Sequence, residues 1–276
     1  MSADICLRGD TMNRYILVVS YDGTAYCGWQ VQPNGITVQQ KLNDAVFEAF
    51  GEKATVKASG RTDAGVHARA QLCQVDLNAE IAGEKLADAL NARLPDDISV
   101  LNSTAVPYPD VDIKNLSKAK TYRYYMYFCG RKKPLFERYS AWVKGEPNVE
   151  KMREAAEILK GEHDFKAYCA SGSQVKTTVR KVYAVNVECK PSPPDCKVVY
   201  IEVYGNGFLY NMVRTIAGTV LWYSQGKLSK EDLQATLKGE RGRVGKTMPA
   251  KGLVLYSVGE GLKIGVRDGN GGGYDD

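Results

Sequence analysis

Nothing in this chain is spaced to hold a metal. Its two histidines, His67 and His163, lie far apart, and no H-E-x-x-H pattern occurs. Seven cysteines stand at positions 6, 27, 73, 129, 169, 189 and 196, with no C-x-x-C pair and an odd total. That spacing excludes a zinc ribbon, argues against a disulfide framework and points to a reducing cytosol. No G-x-x-x-x-G-K-[ST] loop is present, and no G-x-G-x-x-G follows a strand pattern. The closest run, Gly60-Arg61-Thr62-Asp63-Ala64-Gly65, lacks the lysine of a phosphate-binding loop. The expectation is no metal and no nucleotide cofactor. The start, Met1 to Ile5, lacks a basic segment followed by an apolar one, so no signal peptide is expected. No apolar run approaches the ~18 residues that span a bilayer. A soluble, cytoplasmic protein without membrane attachment is the expectation.

What is present is an ordinary globular composition. The 276 residues are 44% hydrophobic and 25% charged, enough for one large or two medium domains with a core that needs no covalent staple. The net charge of +5 is modest but unevenly placed. Lys114 to Arg138 holds eight Lys/Arg (114, 118, 120, 123, 131, 132, 133, 138) against one acid, Glu137. Tyr122, Tyr124, Tyr125, Tyr127, Phe128 and Phe136 are interleaved with them. Cations for phosphates and rings for bases are what an RNA partner requires. A solvated edge strand protected by lysines fits the same pattern.

The hydrophobic periodicity predicts an α+β protein. Arg14–Tyr21 reads as a buried strand that ends at the turn Asp22-Gly23-Thr24. Thr37-Val38-Gln39-Gln40 starts a helix, apolar at 38, 42, 45, 46, 49 and 50, which Gly51 ends. Strands near 55–58 and 71–77, a helix over 84–94 and a strand over 98–106 complete β-α-β-β-α-β, the ferredoxin-like split unit. Pro107-Tyr108-Pro109-Asp110 is the expected domain boundary. The second half has strands over 120–128, 180–189, 197–204 and 252–258, and helices over 149–160, 208–225 and 229–237. The prolines of 190–195 read as an exposed hairpin loop. The division is a tail over 1–12, domains over 13–107 and 108–267, and a Gly-rich tail over 268–276.

The run Ser59-Gly60-Arg61-Thr62-Asp63-Ala64-Gly65-Val66-His67-Ala68 is the candidate site. Glycines bracket a carboxylate and a guanidinium, a histidine follows in the same run, and the whole lies between two strands, so the backbone there is specified. Arg61–Asp63 as a simple turn ion pair is the competing interpretation. Arg214 weighs against it. It interrupts the apolar helix 208–225, and a cation so placed requires a carboxylate partner. Asp63 is one candidate; Asp22 or another core acid is the alternative. Lys120 and Arg123 flank Tyr122 and suit a position facing nucleic acid.

These stretches carry a resemblance. YDGTAYCGWQVQ (21–32), SGRTDAGVHA (59–68), KTYRYYMY (120–127), GEHDFKAYCASGS (161–173), GFLYNMVRTIAG (207–218) and MPAKGLVL (248–255) resemble, in order, the tRNA pseudouridine synthase A family. Met248 and Lys251 depart from its usual pattern. The resemblance implies two ferredoxin-like, RNP-like halves whose mostly antiparallel sheets meet at a central basic cleft. It implies isomerisation of uridines in the anticodon stem-loop of tRNA, by a homodimer that needs no cofactor. It implies Asp63 as the catalytic nucleophile, Tyr122 as the ring that stacks on uracil and Arg214 as the ion-pair partner of the aspartate. Arg61, His67, Lys120, Arg123 and Leu253 are the expected substrate contacts, Leu253 as an apolar residue under the site. Whether the carboxylate attacks the sugar or the base stays open. A non-catalytic RNA-binding module and an acid/base hydrolase are the rival classes; the hydrolase lacks a second carboxylate in a matching motif.

Overall fold

A computed structural model describes residues 12–170, 172, 175–192, 195–239 and 243–259. The two expected tails, Met12 aside, and Cys6 lie outside the described residues.

The first half runs β1 (Asn13–Tyr21), α1 (Val38–Phe50), β2 (Lys57–Ala58), β3 (His67–Leu77), α2 (Lys85–Asn91) and β4 (Ile98–Val106). After a short α3 (Ile113–Leu116) come β5 (Lys120–Cys129), β6 (Ala141–Lys144), α4 (Val149–Leu159), β7 (Gly161–Asp164), β8 (Val179–Ser192) and β9 (Cys196–Gly205). Then follow α5 (Met212–Ser224), α6 (Lys230–Thr236) and β10 (Leu253–Val258). The local signals act as their chemistry demands. Thr37 Oγ1 accepts the Gln40 amide at 3.3 Å to open α1, and Gly51 closes it at φ +70°. Ser229 and Asp232 form a reciprocal capping box on α6.

All ten strands join one sheet, in the order β4-β1-β3-β10-β5-β9-β8-β7, with β2 beside β3 and β6 beside β5. The first half thus places its strands 4-1-3-2, and β10-β5-β9-β8 repeats that order in the second half. The mixed, mostly antiparallel architecture expected from the periodicity is present, with one addition. The two sheets do not merely meet. β10 pairs antiparallel with β5, and parallel with β3 through Val254↔His67 and Leu255↔Ala68, so one sheet runs through both halves. One hydrophobic core follows it from Tyr15 to Val258.

Several local expectations need correction. β3 starts at His67, not near residue 71, because its first residues are paired by a strand from the other half. α5 begins at Met212, since Asn211 sits at φ +61° and breaks the helix that apolarity alone predicts from Phe208. The strands around the prolines are longer than expected, reaching Ser192 and resuming at Cys196. Cys129 and Cys196 form a disulfide where no disulfide framework was expected. They are 67 residues apart, and only the β5–β9 register brings their Cα atoms to 4.9 Å.

The segment 244–249 lies against α5, backbone to backbone. A Cβ on Gly218 would stand 1.9 Å from the Lys246 carbonyl oxygen, and one on Gly245 would meet the Gly218 backbone at 2.2 Å. Thr219 Oγ1 receives the Gly245 amide at 2.9 Å, and the Thr215 and Thr247 hydroxyls meet at 3.0 Å. Neither backbone can yield without losing these bonds. Gly218→Ala is therefore expected to destabilise the protein by ~1–3 kcal/mol, the range for overpacking. Urea unfolding checks this, and an unchanged midpoint would contradict the close docking.

Candidate active site

The loop from Ser59 to Val66 links β2 to β3, and its polar groups are tied down from beneath. Gln71, fully buried, donates to the Gly60 carbonyl at 2.7 Å and accepts from Ser59 Oγ at 2.9 Å. The Tyr21 hydroxyl meets Thr62 Oγ1 at 2.7 Å, and the Trp29 amide donates to the Thr62 carbonyl at 3.1 Å. Gly28, at φ +88°, lets the preceding turn approach so closely that a Cβ there would be 2.7 Å from the Thr62 carbonyl oxygen. The loop is a fixed platform on which Asp63 projects.

Across from it stand residues of the second half. A cleft of about 610 Å³ is lined by Arg61, Thr62 and Asp63, by Tyr122 and Leu253, and by the turn from Phe208 to Val213 at the head of α5. The Phe208 ring meets Tyr122 edge to face, 5.3 Å between centroids and 88° between planes. Arg214 donates from Nε to the Met248 carbonyl at 2.7 Å and from a terminal nitrogen to Asn211 Oδ1 at 2.6 Å. That nitrogen lies 3.9 Å from Asp63 Oδ2. The guanidinium is thus anchored by other partners and offers Asp63 its charge rather than a short hydrogen bond. Asp22, the alternative partner, is engaged elsewhere, accepting from Arg138 Nε at 2.6 Å and the Tyr139 hydroxyl at 2.9 Å.

Burial raises the Asp63 pKa above the ordinary carboxylate value, and the Arg214 charge partly opposes this. The Tyr122 phenol is pushed well up, by burial first and then by the Asp63 carboxylate, so it stays neutral near pH 7. The cleft therefore holds one carboxyl group, with a cation at arm's length, facing a neutral ring.

Asp63, Arg61, Tyr122 and Leu253 are brought together as the sequence suggests, and Arg214 stands behind them. Arg214 is less buried than its helix implies; its side chain is 17% exposed and that of Asp63 is 30% exposed. Lys120 is half-buried beside the loop, its side chain filling the space where Gly60 has no Cβ, and burial lowers its pKa. Two expected contacts fall elsewhere. His67 does not line this cleft: it is buried, with Nδ1 3.0 Å from both the Gly23 amide and Asp22 Oδ1. Arg123 pairs with Glu202 at 2.7 Å and covers the Tyr256 and Tyr200 rings, because neighbours in a strand point to opposite faces. Tyr124, Tyr127 and Phe128, expected to interleave with cations on an RNA-facing surface, are buried in cores. Sequence reasoning passed over Tyr21, Thr62 and Gln71 beneath the loop, and Phe208 and Asn211 opposite it. All but Gln71 lie within the motif stretches, yet only packing shows what they hold.

The chain is two split β-α-β units joined edge to edge, with a carboxylate at the seam. The sequence profile of the tRNA pseudouridine synthase family matches residues 17–114 and 155–259, and the chain belongs to that family of RNA-modifying isomerases. Relatives called tRNA pseudouridine synthase A show the particular branch it resembles. That of Ruminiclostridium cellulolyticum is 41% identical over 248 residues, covering 90% of this chain and 99% of the relative. Those of Geobacter sp. (strain M21) and Shouchella clausii are each 42% identical, over 253 and 260 residues, covering 90% and 93% of this chain and 98% and 97% of theirs.

The raised Asp63 pKa has a consequence for stability. A carboxyl that binds its proton more tightly when folded destabilises the fold once it is ionised. Asp63→Asn is expected to be more stable than the parent at pH 7. The gap should narrow as pH falls through the raised pKa towards the ordinary value of 3.8. Thermal unfolding at pH 7 and pH 4 measures it; a less stable Asn variant at pH 7 would refute the electrostatic account.

Proposed function

We propose that this chain converts uridine to pseudouridine in the anticodon stem-loop of tRNA, with Asp63 as its nucleophilic carboxylate. The observation that carries this is Asp63 facing Tyr122 in a cleft, with Arg214 anchored 3.9 Å away by bonds of its own. The reaction breaks the bond between uracil N1 and the sugar, turns the base, and joins the sugar to C5, whose proton is released while N1 takes one up. There is no net redox change, and no phosphoryl group or hydride is transferred. An ionised carboxylate suffices, attacking the sugar or adding to the ring. Arg214 draws the Asp63 pKa down against the effect of burial, without a short hydrogen bond to the carboxylate that must react. Tyr122 gives the extruded base a face to stack on, recovering part of the few kcal/mol that unstacking costs. Arg61, exposed at the rim, contacts a phosphate of the flipped nucleotide, and Leu253 forms the apolar floor. Lys120 serves the same strand from beside the loop.

The proposal extends to a homodimer acting in the cytoplasm, with one tRNA lying across both subunits. Family resemblance supports it, as does an apolar patch where Leu135, 95% exposed, and half-exposed Tyr139 line the same hollow. Sedimentation should give twice the chain's mass; a monomer at micromolar concentration would remove this part.

The chemical assignment is tested on tRNA carrying tritium at uracil C5. Asp63→Asn should release no tritium above background while still binding tRNA. Tyr122→Phe, which keeps the ring, should retain most of the activity. Turnover by the Asn variant would sink the assignment of Asp63. A loss in the Phe variant as deep as in the Asn variant would show that the hydroxyl takes part in the chemistry.

A further inference from the structure

A second hollow, of about 460 Å³, lies among β6, the end of α5 and the segment 246–251. Five lysines line it: Lys132, Lys144, Lys227, Lys246 and Lys251. Its one carboxylate, Glu137, is already spent, since Lys251 Nζ donates to one oxygen and the Tyr127 hydroxyl to the other. The lysines converge from four separate parts of the chain, so this is a property of the fold and not of a local run. The floor is aromatic, with Trp142 and Trp222. Lys132 lies over the Trp142 ring at 5.7 Å, and Lys227 and Arg243 lie over Trp222 at 5.9 and 5.7 Å. Cations already occupy the ring faces, and Gln225 is the one uncharged polar side chain in the lining. Such a surface can neutralise phosphates but has little with which to read bases.

We infer that this groove is a second contact for the substrate tRNA, binding its sugar–phosphate backbone away from the target uridine. The inference rests on the proposed tRNA activity. Its position supports it. Met248 lines the groove, while its carbonyl holds Arg214 Nε at 2.7 Å. Lys132 and Glu137 belong to the basic segment 114–138. The groove and the uridine cleft are thus two sides of one short segment, within reach of a single folded RNA. The contact supplies affinity independent of sequence and helps set how the arm enters the cleft.

The test uses the full chain and intact tRNA, with binding measured over a series of salt concentrations. Lys132, Lys227 and Lys246 are exposed and their side chains make no hydrogen bond among the described residues, so their joint replacement by Gln leaves the fold intact. The triple Gln variant should bind tRNA about tenfold or more weakly at moderate salt. The slope of log K against log salt should flatten by about 0.7–0.9 for each phosphate that is no longer neutralised. KM should rise while kcat at saturating tRNA holds. The triple Arg variant, which keeps the charges, should bind like the parent. Unchanged affinity and slope in the Gln variant would overturn the groove alone, as would equal weakening in the Arg variant. A parent chain that does not bind tRNA would overturn the proposed activity and the groove with it.

Discussion

The structure depends on the double pairing of β10. One edge of this strand joins β5 and the other joins β3, so the last strand of the second half completes its own sheet and extends that of the first. The parallel contact spans only Val254↔His67 and Leu255↔Ala68, but it sits where it has the most leverage. His67 is the first residue of β3, immediately after the Asp63 loop, and Leu253 is the first residue of β10. Tyr122 faces Leu255 across the next pairing. Three residues from distant parts of the chain thus become neighbours through hydrogen bonds between backbones. That is a stiffer connection than a side-chain interface between two separate domains would provide.

On this frame the cleft keeps a charge that burial opposes. Paired tightly, Asp63 would be fully stabilised and would lose its free oxygen; left alone, burial would push its pKa up unopposed. The structure does neither. Asn211 and the Met248 carbonyl saturate the near side of Arg214, leaving a gap of 3.9 Å to the carboxylate. Asn211 reaches this place by adopting the left-handed conformation that also ends the turn before α5. The conformation that delays the helix start is the one that aims the arginine.

The segment 244–251 links these features. Its backbone docks on α5 through Gly218 and Gly245, its carbonyl at Met248 fixes Arg214, and its outer side forms the wall of a lysine-rich groove. Glycine at both contact points is a requirement of space, because any side chain would separate the two backbones. Precision at the cleft and charge at the surface therefore derive from one packing contact between two short segments, 214–219 and 244–251.

Local chemistry was legible in the sequence. The β-prone apolar run RYILVVSY, the Thr37 and Gly51 ends of α1, and the order β-α-β-β-α-β follow from patterns a few residues long, and each is present. The loop at Asp63 and the demand of Arg214 for a carboxylate were legible too, since a cation in an apolar helix must be answered somewhere. Which carboxylate answers was not, because Asp22 and Asp63 differ only in what surrounds them once folded. The early start of β3, the short β6 and β7, the Cys129–Cys196 pair and the burial of Tyr124 and Tyr127 were likewise decided by strands meeting across long separations. The removal of Arg123 and His67 from the cleft has a simpler cause. A strand turns successive side chains to opposite faces, and only the completed sheet determines which face is the cleft. Periodicity and capping are properties of neighbours along the chain; register and the docking of one backbone on another are properties of the whole fold.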